Sequence, residues 1–302
     1  MGGEILHKYM RAIGFSKMTN TDMHDKLLEV IANATSRSYT SNGENTMLAE
    51  FCKDFSERFG IAVVGEFDDK DKFTYEYSYP YFKGTVISSE EDISVERHAE
   101  KESYAGVCDD YRIGVSLVFY LQNMISYVKV KESGLLPVKG TNLTLGALSL
   151  GGKVLLSVDK SEKDIARSRK ESINRSRLLA QAKEGNEEAI ETLTLDDMDK
   201  YSAISRKIKK EDVLSLIDTY FMPYGVECDQ YNILAEITDV SLVKNRETEE
   251  EVYVMTLCCN ELTFDMCINK IDLYGEPKVG RRFKGTIWMQ GNINFPDHCF
   301  LS

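Results

Sequence analysis

Apolar residues in the first sixty positions recur at helical spacing. Ile5, Leu6, Tyr9, Met10 and Ile13 form one such set, and Leu27, Leu28, Val30 and Ile31 form a second. A third, Met47, Leu48, Phe51, Phe55 and Phe59, runs up to Gly60, so three helices are expected here. From Phe73 the period falls to two. Phe73, Tyr75, Tyr77, Tyr79 and Tyr81 alternate with Thr74, Glu76, Ser78 and Pro80. That predicts a strand whose aromatic side packs inward with its hydroxyls at the rim, although an aromatic row can also bind sugars or peptides. Val115, Leu117, Phe119 and Leu121 predict another strand. Leu143, Leu145 and Ala147 before Gly151-Gly152, with Val154, Leu156 and Val158 after it, predict a hairpin.

The middle of the chain carries helix punctuation. Ser161 with Asp164 reads as a capping box, Gly185 as a stop, Asn186 with Glu187 and Glu188 as a start, and Thr194 with Asp197 as a further start. Tyr201, Ile204 and Ile208, then Val213, Leu216, Ile217 and Tyr220, supply an apolar face, so this stretch is expected to pack between domains. Strand patterns return after Cys228, in Ile233, Ala235 and Ile237, in Val252 to Cys259, in Leu262 to Ile268 and in Phe283 to Met289, with Lys244 to Glu251 as a polar hairpin tip. Glycines at 280, 285 and 291, where strands can bend, suit a small barrel of the oligonucleotide/oligosaccharide-binding type. The expected fold class is α+β: an N-terminal antiparallel sheet with helices (1–159), a helical connecting segment (160–222) and a C-terminal barrel-like β domain (223–302).

Composition narrows the class. The chain has 302 residues, 42% hydrophobic and 28% charged, with only 5 prolines, which excludes wholesale disorder and leaves room for about two cores. No apolar run approaches the roughly 18 residues of a membrane span. Lys plus Arg is 37 and Asp plus Glu 49, a net charge of -12. Residues 1–159 hold 17 basic and 23 acidic side chains, 160–210 hold 13 and 10, and 211–302 hold 7 and 16, so only the middle is positive. The basic run from Arg167 to Arg177 is answered by Glu184, Glu187, Glu188, Glu191, Asp196, Asp197 and Asp199, which reads as solvated helix faces. Nucleic acid is therefore disfavoured as a partner. Seven cysteines without framework spacing fit reduced thiols in the cytoplasm.

Motifs for chemistry are few. Gly146 to Val154 places its lysine one residue late for a phosphate-binding loop and lacks the following Ser or Thr, so it reads as a turn. Histidines occur at 7, 24, 98 and 298 alone, and His98 sits in a charged stretch. Cys258-Cys259, Cys267 and His298-Cys299 are soft ligands without zinc spacing, since neighbours on a strand face opposite ways; no metal and no cofactor is expected. One surface carries a binding pattern. Strand parity sets Arg282, Lys284, Thr286, the single Trp288 and Gln290 on one face, and Arg282, Lys284, Trp288 and Gln290 are the candidate ligand-binding residues. A tryptophan is usually covered, which is the plainer reading.

Three stretches resemble a family of uncharacterised proteins from anaerobic Gram-positive bacteria, a domain of unknown function: His7 to Ser16, Asp218 to Tyr231, and Gly285 to Gly291. The resemblance runs the length of the chain and implies a bacterial cytosolic protein, with no activity, substrate or catalytic residue attached. With no catalytic motif, the expected function is non-enzymatic binding or regulation with a protein or small-molecule partner. The alternatives are a hydrolase or transferase built on scattered acids such as Asp109, Asp110 and Asp229, and single-strand nucleic-acid binding through the last domain.

Overall fold

The computed structural model describes residues 6–41, 46–97, 103–110, 112–113, 115–157, 217–225 and 228–300, with part of 170–198. Strand makes up 48% and helix 21%, so the expected α+β class gives way to a mostly β protein. Helices α1 (Asn20–Ala32) and α2 (Met124–Glu132) and a 3-10 turn at Lys8–Ile13 accompany a four-stranded sheet and an eleven-stranded one.

The smaller sheet is an antiparallel meander of β1 (Ser36–Ser41), β2 (Met47–Asp54), β3 (Phe59–Phe67) and β4 (Phe73–Phe82). The helix expected over Met47 to Phe59 is thus two strands and their turn. Both faces of β2 are covered, which erases the alternation that would mark a strand. Ala49, Phe51 and Lys53 look toward α1, where Lys53 pairs with Glu29, while Glu50 and Cys52 look toward α2. Between Val64 and Gly65 the register slips, so two residues of β4 span one of β3. That bulge divides the aromatic row. Phe73 and Tyr75 fall on the α1 side, with the Phe73 ring 5.4 Å from Phe51, and Tyr77, Tyr79 and Tyr81 turn to the other side.

The larger sheet comprises β5 (Ile87–Ser89), β6 (Ile93–Arg97), β7 (Tyr104–Cys108), β8 (Leu117–Leu121), β9 (Asn142–Leu155), β10 (Tyr220–Pro223), β11 (Gln230–Lys244), β12 (Glu251–Cys259), β13 (Leu262–Asn269), β14 (Leu273–Tyr274) and β15 (Arg282–Asn294). Five of them close a barrel. β11 pairs with β12, β12 with β13, β13 in parallel with β9, β9 with β15, and β15 back with β11. The barrel is therefore not a C-terminal unit, because β9 lies on the other side of the expected helical segment. The hairpin expected at Gly151-Gly152 is also absent: β9 runs straight through. A Cβ at Gly152 would lie 2.3 Å from the Phe283 ring, so this glycine admits a core phenylalanine. Within the described residues of 160–222 the longest helical run is 187–195, and the stretch enters strand β10 at Tyr220, so the helical segment expected to reach 222 gives way to strand at its end. The expected caps at Ser161 and Thr194–Asp197, the basic run from Arg167 and the apolar set from Tyr201 to Leu216 fall wholly or largely outside the described residues.

Buried polar side chains join the two sheets. Asp265 on β13, fully buried, receives Arg58 at 2.6 Å and Thr85 through its backbone N–H (2.8 Å) and hydroxyl (2.9 Å). Gln290 on β15 accepts from Phe82 N and donates to Pro80 O, stitching the end of β4 to the barrel. The polar tip after Lys244 is likewise pinned. Asn245 is fully buried, donates to Ile13 O at 2.8 Å and accepts from Glu247 N and Thr248 N.

Candidate functional site

A cleft opens where the smaller sheet meets the barrel. Directly paired residues of antiparallel strands share a face. The register therefore puts Ser38, Glu50, Val64 and Tyr77 in one row, Ser36, Cys52, Ala62 and Tyr79 in the next, and Asp54, Gly60 and Tyr81 in a third. Small residues at 60 and 62 recess the middle of this surface. A Cβ on Gly60 would sit 2.3 Å from the Tyr81 hydroxyl, so the ring packs there only over glycine. Gln122 to Ser126, leading into α2, and Asn292 of β15 form the opposite wall, and the cavity between measures about 230 Å³.

Its polar groups are partly spent on one another. Tyr79 donates to Glu50 Oε1 at 2.8 Å and to Gln122 O at 3.3 Å. Asp54 accepts from the Tyr81 hydroxyl and from Lys83 Nζ at 2.7 Å. Gln122 donates to Phe82 O at 3.0 Å and accepts from Asn292 Nδ2 at 2.6 Å, and the Asn123 side chain brackets the Ile293 backbone. Glu50 Oε2 and Asn292 Oδ1 receive no hydrogen bond from the described residues.

Electrostatics set Glu50 apart. Burial pushes its carboxyl up to about 7, and the Tyr79 hydrogen bond offsets this only in part. Burial, reinforced by the Glu50 charge, also raises Cys52 and Tyr79, and burial with the Asp54 hydrogen bond raises Tyr81, so these stay protonated at neutral pH. The other two buried acids among the described residues behave oppositely. Burial alone would raise Asp265, but Thr256, Thr85 and Arg58 outweigh it, and Asp110 is held low in the same way by Arg112 and Ser89. Among the described residues, Glu50 is the buried acid without a cation.

The candidate residues read from the sequence are distributed elsewhere. Arg282 gives its guanidinium to the carbonyls of Leu156 (3.1 Å) and Ile217 (2.8 Å), and Lys284 is half-buried further along β15. Trp288 is 5% exposed; it stacks on Tyr9 at 5.1 Å, lies 4.8 Å from His7 and donates to Asp229 at 2.6 Å. Gln290 is buried and reaches the cleft only through Gln122. Asp109 accepts from Ser116 and Asp110 from Arg112, apart from Asp229, and His98 lies outside the described residues. Among the described residues no three His, Cys, Asp or Glu side chains gather as metal ligands, and all seven cysteines are free. No helix among them is long and apolar enough to cross a membrane. Of the cleft residues the sequence marks only Tyr79 and Tyr81, as members of the aromatic row, because the rest are spread over separate stretches of the chain. Glu50-Phe-Cys-Lys-Asp54 offers no pattern of its own, since charged and apolar residues are mixed throughout Met47 to Phe59.

A mostly β chain with a closed five-stranded barrel and a polar cleft at its junction with a second sheet is the class that fold and site define. The chain belongs to the family described as "Domain of unknown function, E. rectale Gene description (DUF3881)", whose profile matches residues 10–291. No curated protein and no solved structure matches it.

Proposed function

We propose that this is a cytoplasmic, non-catalytic binding or regulatory protein that takes a small polar ligand into the cleft, with Glu50 as the recognising group. One observation carries the reading. Asp110 and Asp265 are each given an arginine and further donors, whereas Glu50 is buried beside a cavity with one hydrogen bond. A buried carboxyl left short of partners costs stability, and a ligand that completes its hydrogen bonds offsets that cost. The neighbouring thiol and phenols, held protonated, are donors and walls rather than nucleophiles. Seven free cysteines accord with a reducing compartment.

A thermal-shift panel of amines, amino acids, polyols, sugars and nucleosides on the full chain tests this. Some member should raise the Tm of the wild type and fail to do so in Ser38→Phe, which fills the cleft from its rim, and in Glu50→Gln, an independent check if the first variant folds poorly. No shift in the whole panel, or shifts equal in all three proteins, would overturn the reading.

A further inference from the structure

We infer that the ligand of this cleft presents an ammonium group to Glu50. The inference rests on the binding reading above and names the chemistry of its ligand. Charge balance points that way first. Two acids, Glu50 and Asp54, line or border the cavity against one cation, Lys83, and Lys83 is already bound to Asp54. Once Glu50 ionises, one negative charge is left to be matched. Hydrogen-bond capacity points the same way. Among the described residues, Glu50 Oε2 and Asn292 Oδ1 are acceptors left open, with the Ser38 hydroxyl, which can accept as well as donate, on the same row as Glu50. An ammonium offers three donors and no acceptor, which matches that set; a carboxylate or phosphate would meet two acids and an occupied lysine. A charge-assisted hydrogen bond is also stronger than a neutral one. Ile125 and Ser126, in the first turn of α2, line the same cavity and can donate backbone N–H groups to an acceptor on the rest of the molecule.

Binding then moves a proton. The free carboxyl, raised to about 7 by burial, must ionise to meet the ammonium, and its proton leaves to solvent. An aliphatic amine remains ammonium across the neutral range, so the pH dependence reports Glu50 and not the ligand.

The matched probes are 4-amino-1-butanol and 1,4-butanediol, alike in size, titrated into the ¹⁵N-labelled full chain and followed by amide shifts. At pH 8 the amine should bind at least tenfold more tightly than the diol, with shifts centred on Glu50, Gln122 and Asn292. Its affinity should fall about tenfold from pH 8 to pH 6, as expected for one ionisation near 7. Glu50→Gln should erase both the preference and the pH dependence. Equal binding of amine and diol, both lost in Ser38→Phe, would overturn the ammonium assignment while leaving the cleft as a binding site. A preference that survives Glu50→Gln, or no binding of either probe, would also overturn it, and the compound panel decides the cleft separately.

Discussion

Glu50→Gln keeps the shape of a side chain that is only 8% exposed and removes its charge. The unfolded carboxyl titrates near its ordinary 4.5 and the folded one near 7, so the folded state holds the proton more tightly. The sign follows from that difference. Below about 4.5 both states are protonated and the ionisation penalty is absent; as pH rises from there to about 7, the unfolded state ionises first and wild-type stability falls; above about 7 the penalty is complete. The gap of about 2.5 pH units, at about 1.4 kcal/mol each, makes the full penalty roughly 3 kcal/mol. Glutamine carries no such penalty, retains an acceptor for the Tyr79 hydroxyl and directs its NH₂ toward Asn292 Oδ1 or solvent in the cavity. Urea unfolding of both proteins at half-unit steps from pH 5 to pH 8.5 gives the difference directly. The variant should gain on the wild type by about 2 to 3 kcal/mol across that range and level off above pH 7. A difference that is flat with pH, or a variant that loses ground as pH rises, would refute the assignment of a buried, cation-free carboxyl.

Two further outcomes test the joints of the fold. Arg58→Met strands the buried Asp265 carboxylate, which keeps its threonine donors, and should cost about 3 kcal/mol in urea unfolding at pH 7; a loss below about 1 kcal/mol would mean the ion pair does not clamp the sheets. Trp288, the single tryptophan, lies beneath His7 and Tyr9, so its emission should be blue-shifted and poorly quenched by iodide in the folded protein, with urea restoring both; ready quenching in the native state would contradict that packing.

The sequence made the isolated strands plain and hid their partners. β4, β12, β13 and β15 were legible because their alternation or apolar runs are bounded by turn residues. β2 and β3 were not, since helix α1 covers one side and the cleft wall the other, and Leu48, Phe51, Phe55 and Phe59 then coincide with a helical period. Gly151-Gly152 carries the composition of a turn, yet the reason for glycine at 152 is the Phe283 ring on a strand 131 positions away in the chain. The bulge opposite Val64 has the same character: nothing in Phe73 to Tyr81 announces that the row changes sides after Tyr75. For the site, Tyr79 and Tyr81 are visible in the sequence only as members of an aromatic row, and the significance of Glu50 depends on Tyr79, Gln122 and Asn292, whose approach is a property of the assembled sheets.

The closure of the barrel by β9 bears on how the chain is made. β9 leaves the ribosome well before its two barrel neighbours, waiting for β13 and β15 across more than a hundred residues of intervening chain. Pairing over such separations is slow to nucleate, because loop closure must come before any contact repays it. Until Arg282–Asn294 emerges, the apolar side of β9 has no lasting cover and Gln290 cannot fasten β4. Nascent chains stalled before residue 282 should therefore be recognised by chaperones that hold exposed strands, and the cleft, whose far wall includes Asn292, should come into existence only once Arg282–Asn294 has emerged.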